Sequence, residues 1–335
     1  MFSRCFSLIA ACLALLPFVA SLDSTRLVYE FPNGTFVENI AVRSSGSVLT
    51  TIITSPDLYL INPLDANPRA NLVHRFPSGF SLLGITETTP DTFFVVVSNF
   101  TVSTASTAPG SNTIFRVAFD SPNATATASI THVATIEDAK LLNGLTTLNN
   151  HTILAADSGR GQVWSVNTDT GVAKIVISDP LMAPTSPNGL NSIGINGLHL
   201  RDSSTLFFTN TAQALLAKIH INLDGIPKSP ATLVARSFKG TAYDDFALSR
   251  TSGNAFLATG SGNSIARVNV EDGNQRIVAG NINSTDIAEP TSAAFGRTTA
   301  DRSVLYVTTA GGLVIPVNGD EIVGGQLVAV SIRDQ

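Results

Sequence analysis

The chain has 335 residues, 44% of them apolar and only 13% charged, with a net charge of −5. That is ample material for one large core, and the acidic balance excludes a nucleic-acid binder, whose phosphate contacts need a basic footprint. No sustained apolar period of 3.6 residues runs through it, so helices should be few.

The N-terminus reads as a targeting segment. Arg4 precedes an apolar run from Cys5 to Ala20, with small residues at Val19, Ala20 and Ser21. This is the pattern of a secretory signal over residues 1–20, cleaved near Ala20 or Ser21. Both cysteines, Cys5 and Cys12, lie within it. The remaining chain, 21–335, read as a single domain, then has no thiol, which excludes disulfides, thiolate nucleophiles and Cys-ligated metals. Five Asn-x-Ser/Thr sequons (Asn33, Asn99, Asn123, Asn150 and Asn283) fit a glycosylated protein of the secretory pathway or the exterior, free of the membrane once the signal is gone.

Arg26 to Phe31 is a lone strand with no hairpin partner behind it. After it, one grammar repeats: short apolar strands separated by Gly, Asn and Asp turns, the signature of antiparallel sheet. The clearest copy runs from Leu141 to Val176, with LNGLTTL, TILAAD, QVWSVN and AKIVI as its four strands. Further copies start at Phe36, Ser81, Ile193, Tyr243 and Pro290, spaced roughly 45 to 60 residues apart. Six such units predict an all-β, six-bladed β-propeller. The sixth lacks an outer strand unless residues 26–31 supply it. Pairing the N-terminal and C-terminal strands would close the ring and remove two exposed edges.

An arginine stands five residues beyond the start of the first strand in four units: Arg43, Arg201, Arg250 and Arg297. Five strand residues span roughly 17 Å. The register therefore sends these arginines to the lower face, where they are expected to cap turns.

The strand starts themselves converge at the upper mouth of the central channel. Glu38, Asn143, Asn196 and Asp245 take that place in V-E-N-I, L-N-G-L, I-N-G-L and D-D-F-A. Two carboxylates and two amides on one axis form either an oxygen cage for a hard divalent cation, calcium or magnesium, or a polar plug whose members satisfy each other. Upper loops add Phe100, Met182, Phe238, Tyr243, Leu313, Val314 and Ile315 as an apolar rim. A polar floor beneath such a rim suits a small apolar, oxygenated molecule. Tyr243, Asp244, Phe246, Phe238 and Met182 are the expected substrate contacts. The five histidines show no zinc-protease spacing, and His199, on a first strand, is expected in the core. The glycine loop Ser158–Gly161 precedes no helix and is not a phosphate cradle. No G-x-S-x-G elbow is present. Trp164 is expected to pack.

The four strand-start residues resemble the Glu, Asn, Asn, Asp metal-ligand set of the gluconolactonase-like (senescence marker protein) six-bladed propellers, in which Asn-Gly pairs such as 143–144 and 196–197 recur. That resemblance implies a divalent cation at the channel mouth, with Asp245 as ligand or base in lactone hydrolysis. Blade five departs from it, with Tyr243-Asp244-Asp245-Phe246 where Asp-Gly is usual. The phrases ADSGRGQVWSVNTDTG and EPTSAAFG are similar to a fungal secreted branch that includes the hetero-Diels–Alderases of tropolone sesquiterpenoid biosynthesis. This resemblance implies a pericyclase that joins a tropolone quinone methide to a humulene-type alkene and requires no cofactor. Asn143 and Asn196 would donate hydrogen bonds, and Glu38 or Asp245, if protonated, would assist loss of water. A metal-dependent lactonase and a secreted binding propeller are the alternatives.

Overall fold

The computed structural model describes residues 24–122 and 127–332. The expected signal over residues 1–20, with both cysteines, and the Asn123 sequon lie outside the described residues. Six four-stranded antiparallel sheets succeed one another along the chain and form the six blades of a propeller. Their inner strands are Val37–Val42, Ser81–Thr89, Leu142–Asn149, Ile195–Asp202, Phe246–Leu248 and Pro290–Phe295. Helix among the described residues is confined to four short 3-10 segments.

The last blade is completed by the first strand. Thr25–Asn33 pairs antiparallel with Gly324–Ser331, with Arg26 opposite Ala329 and Glu30 opposite Gln326. The missing outer strand of blade six is thus the N-terminal one, and the edge it would have left is paired.

Blade faces are apolar because strand residues alternate between neighbours. Leu83, Phe94 and Ile114 of blade two meet Leu145, Ile153 and Trp164 of blade three in one buried cluster. Burying each such side chain stabilises the ring by roughly 1.5–3 kcal/mol. Trp164 packs as expected, and its indole Nε1 donates to Asp157 Oδ2 at 3.3 Å. Asp157 also accepts from the amides of Lys140 and Leu141, each at 3.0 Å, which fastens the entry to blade three.

Five inner strands break register near their start, as between Val37 and Ile40, Leu142 and Leu145, or Ile195 and Leu198. Such a bulge re-aims the side chains it carries. The Asn-Gly pairs sit in these bulges, where blades crowd the axis. A Cβ on Gly144 would lie 2.5 Å from Asn196 O, and one on Gly84 2.2 Å from Asn143 O. Only glycine allows that approach. Blade two carries an insertion between its second and third strands, where a two-residue ladder pairs Phe100–Thr101 with Ser106–Thr107.

Candidate active site

Where the inner strands begin, one residue from each blade lines an upper cavity of about 280 Å³: Glu38, Leu83, Asn143, Asn196, Asp244 and Thr291. The next residue of each blade, Asn39, Gly84, Gly144, Gly197, Asp245 and Ser292, forms a second tier that the cavity does not reach. Blade five is therefore one residue out of step with the sequence reading. Asp244, not Asp245, is the partner of Glu38, Asn143 and Asn196 at the mouth.

Asp245 is instead the plug of the channel. It is buried, and its Oδ2 accepts from Asn39 Nδ2 at 3.1 Å and Ser292 Oγ at 2.9 Å. Its Oδ1 accepts from the Phe246 amide and lies 2.8 Å from His199 Nε2. Gly197 leaves room for it; a Cβ there would strike Asp245 Oδ1 at 2.0 Å. Burial alone would raise its pKa. The charge and hydrogen bond of His199, with the bonds from Phe246 and Ser292, hold it below the usual value. His199, expected in the core, is partly exposed and faces the opposite cavity.

The upper cavity is crowded with carboxyls. Glu38 is pushed up to about 8, by burial first and then by the charges of Asp245 and Glu289. Asp244 is raised well above its ordinary value by burial and by Glu38, Asp245 and Glu289, against the opposing hydrogen bond from Asn196. That bond, from Asn196 Nδ2 to Asp244 Oδ1, is 2.6 Å long, and the same nitrogen reaches Thr211 Oγ1 at 2.9 Å. Asn143 is buried and its Oδ1 has no hydrogen-bond partner. A buried amide oxygen left without a partner costs about 1–3 kcal/mol, and a ligand that donates to it would recover that.

Glu289 completes the set and was missed in the sequence. It stands one residue before the inner strand of blade six, with a left-handed backbone (φ 52°) that turns its side chain into the cavity lining. Its Oε2 accepts from the Val314 amide at 3.0 Å. Burial pushes it up to about 7, while the amides of Val314 and Ile315 pull the other way. Its position immediately before Pro290, which opens the inner strand, is the signal the sequence carries.

Above this floor the walls are apolar: Phe36, Ile53, Phe100, Val102, Leu141, Leu190, Ile193, Val314 and Ile315 among them. Phe100, Val314 and Ile315 thus take their expected places in the rim, whereas Leu313 is not among the lining residues. The other expected substrate contacts divide. Tyr243 and Asp244 line the cavity, but the Tyr243 ring packs between blades four and five and its hydroxyl donates to Gln275 Oε1. Phe246 lines the opposite cavity. Met182 is fully buried beneath the cap of its 3-10 turn, in the core of blades three and four. Phe238 lines a shallow groove outside the mouth.

The cation cage expected from Glu38, Asn143, Asn196 and Asp245 does not form as a set, since Asp245 is turned away and already accepts four hydrogen bonds. Among the described residues no group of three or more His, Cys, Asp or Glu side chains is placed to hold a metal ion. Glu38, Asp244 and Glu289 are all raised above their ordinary values, so these carboxyls hold protons more readily than free ones do.

No family model matches the chain. Among solved structures it is similar to a luciferin-regenerating enzyme (TM-score 0.66, 14% identity, covering 93% of this chain and 96% of that one). It is also similar to the calcium-binding protein regucalcin of Agrobacterium tumefaciens (TM-score 0.63, 16% identity, 93% and 96%). At such identities the likeness shows the fold alone. By sequence the chain is 30% identical over 306 residues to a protein of Phoma sp named "Putative hetero-Diels-Alderase", covering 84% of this chain and 86% of that protein. It is 28% identical over 341 residues to "Putative hetero-Diels-Alderase asR5" of Sarocladium schorii, covering 91% of this chain and 83% of that one. By that shared sequence the chain belongs to the hetero-Diels–Alderase family of enzymes.

Proposed function

We propose that the upper cavity joins a tropolone quinone methide to a humulene-type alkene, forming a dihydropyran by hetero-Diels–Alder addition in fungal secondary metabolism. The observation that carries this reading is the cavity itself, apolar on its walls and floored by carboxyls raised above their ordinary values. A cycloaddition needs no nucleophile. It needs two apolar partners held in register, which can lower the barrier by up to about 7–11 kcal/mol. The heterodiene oxygen gathers negative charge as the bonds form. Glu38, uncharged below about pH 8, donates a hydrogen bond to it, and a donor so placed supports a rate gain on the order of a hundredfold or more. The unpartnered amide oxygen of Asn143 offers a second polar anchor, as an acceptor for a substrate hydroxyl.

The same acids serve the step that makes the heterodiene. When a hydroxymethyl tropolone loses water, the C–O bond breaks, a proton from Glu38 leaves with the hydroxyl, and the ring O–H gives up its proton. Glu289, near 7 and ionised in part of the molecules at neutral pH, accepts that proton and returns it to Glu38, which is protonated again when the cycloaddition begins. Atoms balance, and no oxidant is consumed. The exposed sequons Asn33, Asn99, Asn150 and Asn283 support passage through a glycosylating compartment.

The test is direct. Purified protein is incubated with a hydroxymethyl tropolone and a humulene-type alkene, with and without chelator, and the dihydropyran is followed by mass spectrometry. A product formed at equal rate in both supports the proposal. Turnover that chelator abolishes, or hydrolysis of a lactone in place of cycloaddition, sinks it.

A further inference from the structure

The opposite mouth of the channel opens into a second cavity, of about 770 Å³, whose chemistry is the reverse of the first. Arg201, Arg250 and Arg297 line it with His199, and Glu87 is the single acid among its lining residues. The clustering follows from the repeat. Each arginine lies on or just past an inner strand, five or six residues beyond the one that lines the upper mouth, so the ring delivers them to one place. Arg43, the fourth of the series, is withdrawn: it is fully buried, bonded to Asp91 at 2.8 Å and stacked over Phe119 at 4.0 Å.

Of the three that remain, Arg201 and Arg297 are each ion-paired through one nitrogen. Arg201 Nη1 bonds Glu271 Oε1 at 2.6 Å, and Glu271 stands outside the cavity lining. Arg297 Nη1 donates to Val42 O at 2.9 Å and to Glu87. Each contact occupies one nitrogen of a guanidinium that has five N–H donors. Arg250 has no acidic partner at ion-pair distance among the described residues. His199 is fixed by its bond to the buried Asp245, which leaves Nδ1 as its remaining polar atom. Ser249, Thr251 and Ser252 add hydroxyls to the lining.

Guanidinium forks match the two oxygens of a carboxylate or phosphate, and an imidazole fixed by a carboxylate adds a directed contact. The chain as a whole carries −5 and repels anions, so binding of one requires a local site of this kind. We propose that the lower mouth is a binding site for a small oxyanion, a molecule bearing a carboxylate or phosphate group, separate from the cycloaddition cavity.

The full chain is titrated calorimetrically with inorganic phosphate and, separately, with citrate. Saturable binding of one anion per chain, weakening as sodium chloride is added, is expected; the tighter of the two identifies the source of the oxyanion. Arg250→Gln should weaken it about tenfold, the loss of one charge-assisted contact, and leave dihydropyran formation unchanged. In parallel, phosphate should shift the ring resonances of His199, assigned by their absence from His199→Gln. No saturable heat with either anion, or undiminished affinity in an Arg250→Gln protein whose circular dichroism matches the parent, overturns the proposal.

Discussion

At the residue scale the channel separates two adjacent aspartates into different tasks. Asp244 faces the cavity among other acids, whereas Asp245 accepts four hydrogen bonds beneath it. Asp244→Asn should lower turnover at least severalfold with little change in melting temperature. Asp245→Asn should destabilise the fold by about 2 kcal/mol or more, since the buried carboxylate accepts four hydrogen bonds, one of them from His199, and the amide cannot accept them all; kinetics and thermal melts on both variants check this. Glu38 gives a pH signature. Its carboxyl is raised from 4.5 in the unfolded chain to about 8 in the fold. The folded state therefore binds the extra proton between those values, and stability is full below about 4.5 and lost as pH rises toward 8. Melts from pH 5 to 8 should show a decline worth on the order of a few kcal/mol, and Glu38→Gln should flatten part of it. These residues were unequally legible. Glu38, Asn143 and Asn196 stood at strand starts marked by repeated motifs. The D-D-F-A stretch offered two acids to one slot, and alignment with V-E-N-I, L-N-G-L and I-N-G-L favoured Asp245, whereas Asp244 lines the cavity. Glu289 belongs to a turn, where strand periodicity is silent.

At the element scale the inner strands place the site by crowding. Their bulges press each strand start against its neighbour, and the Asn-Gly pairs allow the approach. Gly144→Ala would set a methyl group 2.5 Å from Asn196 O, against backbone that cannot yield. A loss of roughly 1–3 kcal/mol, read by urea denaturation, and lowered turnover through displacement of Asn196 are expected. The strands themselves were visible because turns of Gly, Asn and Asp punctuate them. The loops were less so. Met182 is buried because the 3-10 turn Pro180–Met182, capped by Asp179, folds it into the core. Phe246 escapes the upper mouth because it lies two residues beyond the mouth-lining Asp244, past the plug, where the strand already borders the lower cavity.

At the scale of the whole molecule the ring sets an acidic mouth against an arginine-lined one, with Asp245 between them. Its closure depends on the first strand. Removing residues 24–33 would strip the outer strand from blade six and expose the edge of Gly324–Ser331. The truncated protein should melt lower and aggregate at concentrations where the parent stays monodisperse, as light scattering would show. The measurement that bears most directly on the site is the pH dependence of dihydropyran formation by the parent and by Glu38→Gln. Protonated Glu38 as donor predicts a parent rate that falls as pH rises through about 8, and a variant slowed at least tenfold at pH 7 that lacks this fall. A Glu38→Gln protein with the parent's rate and the parent's profile would contradict it.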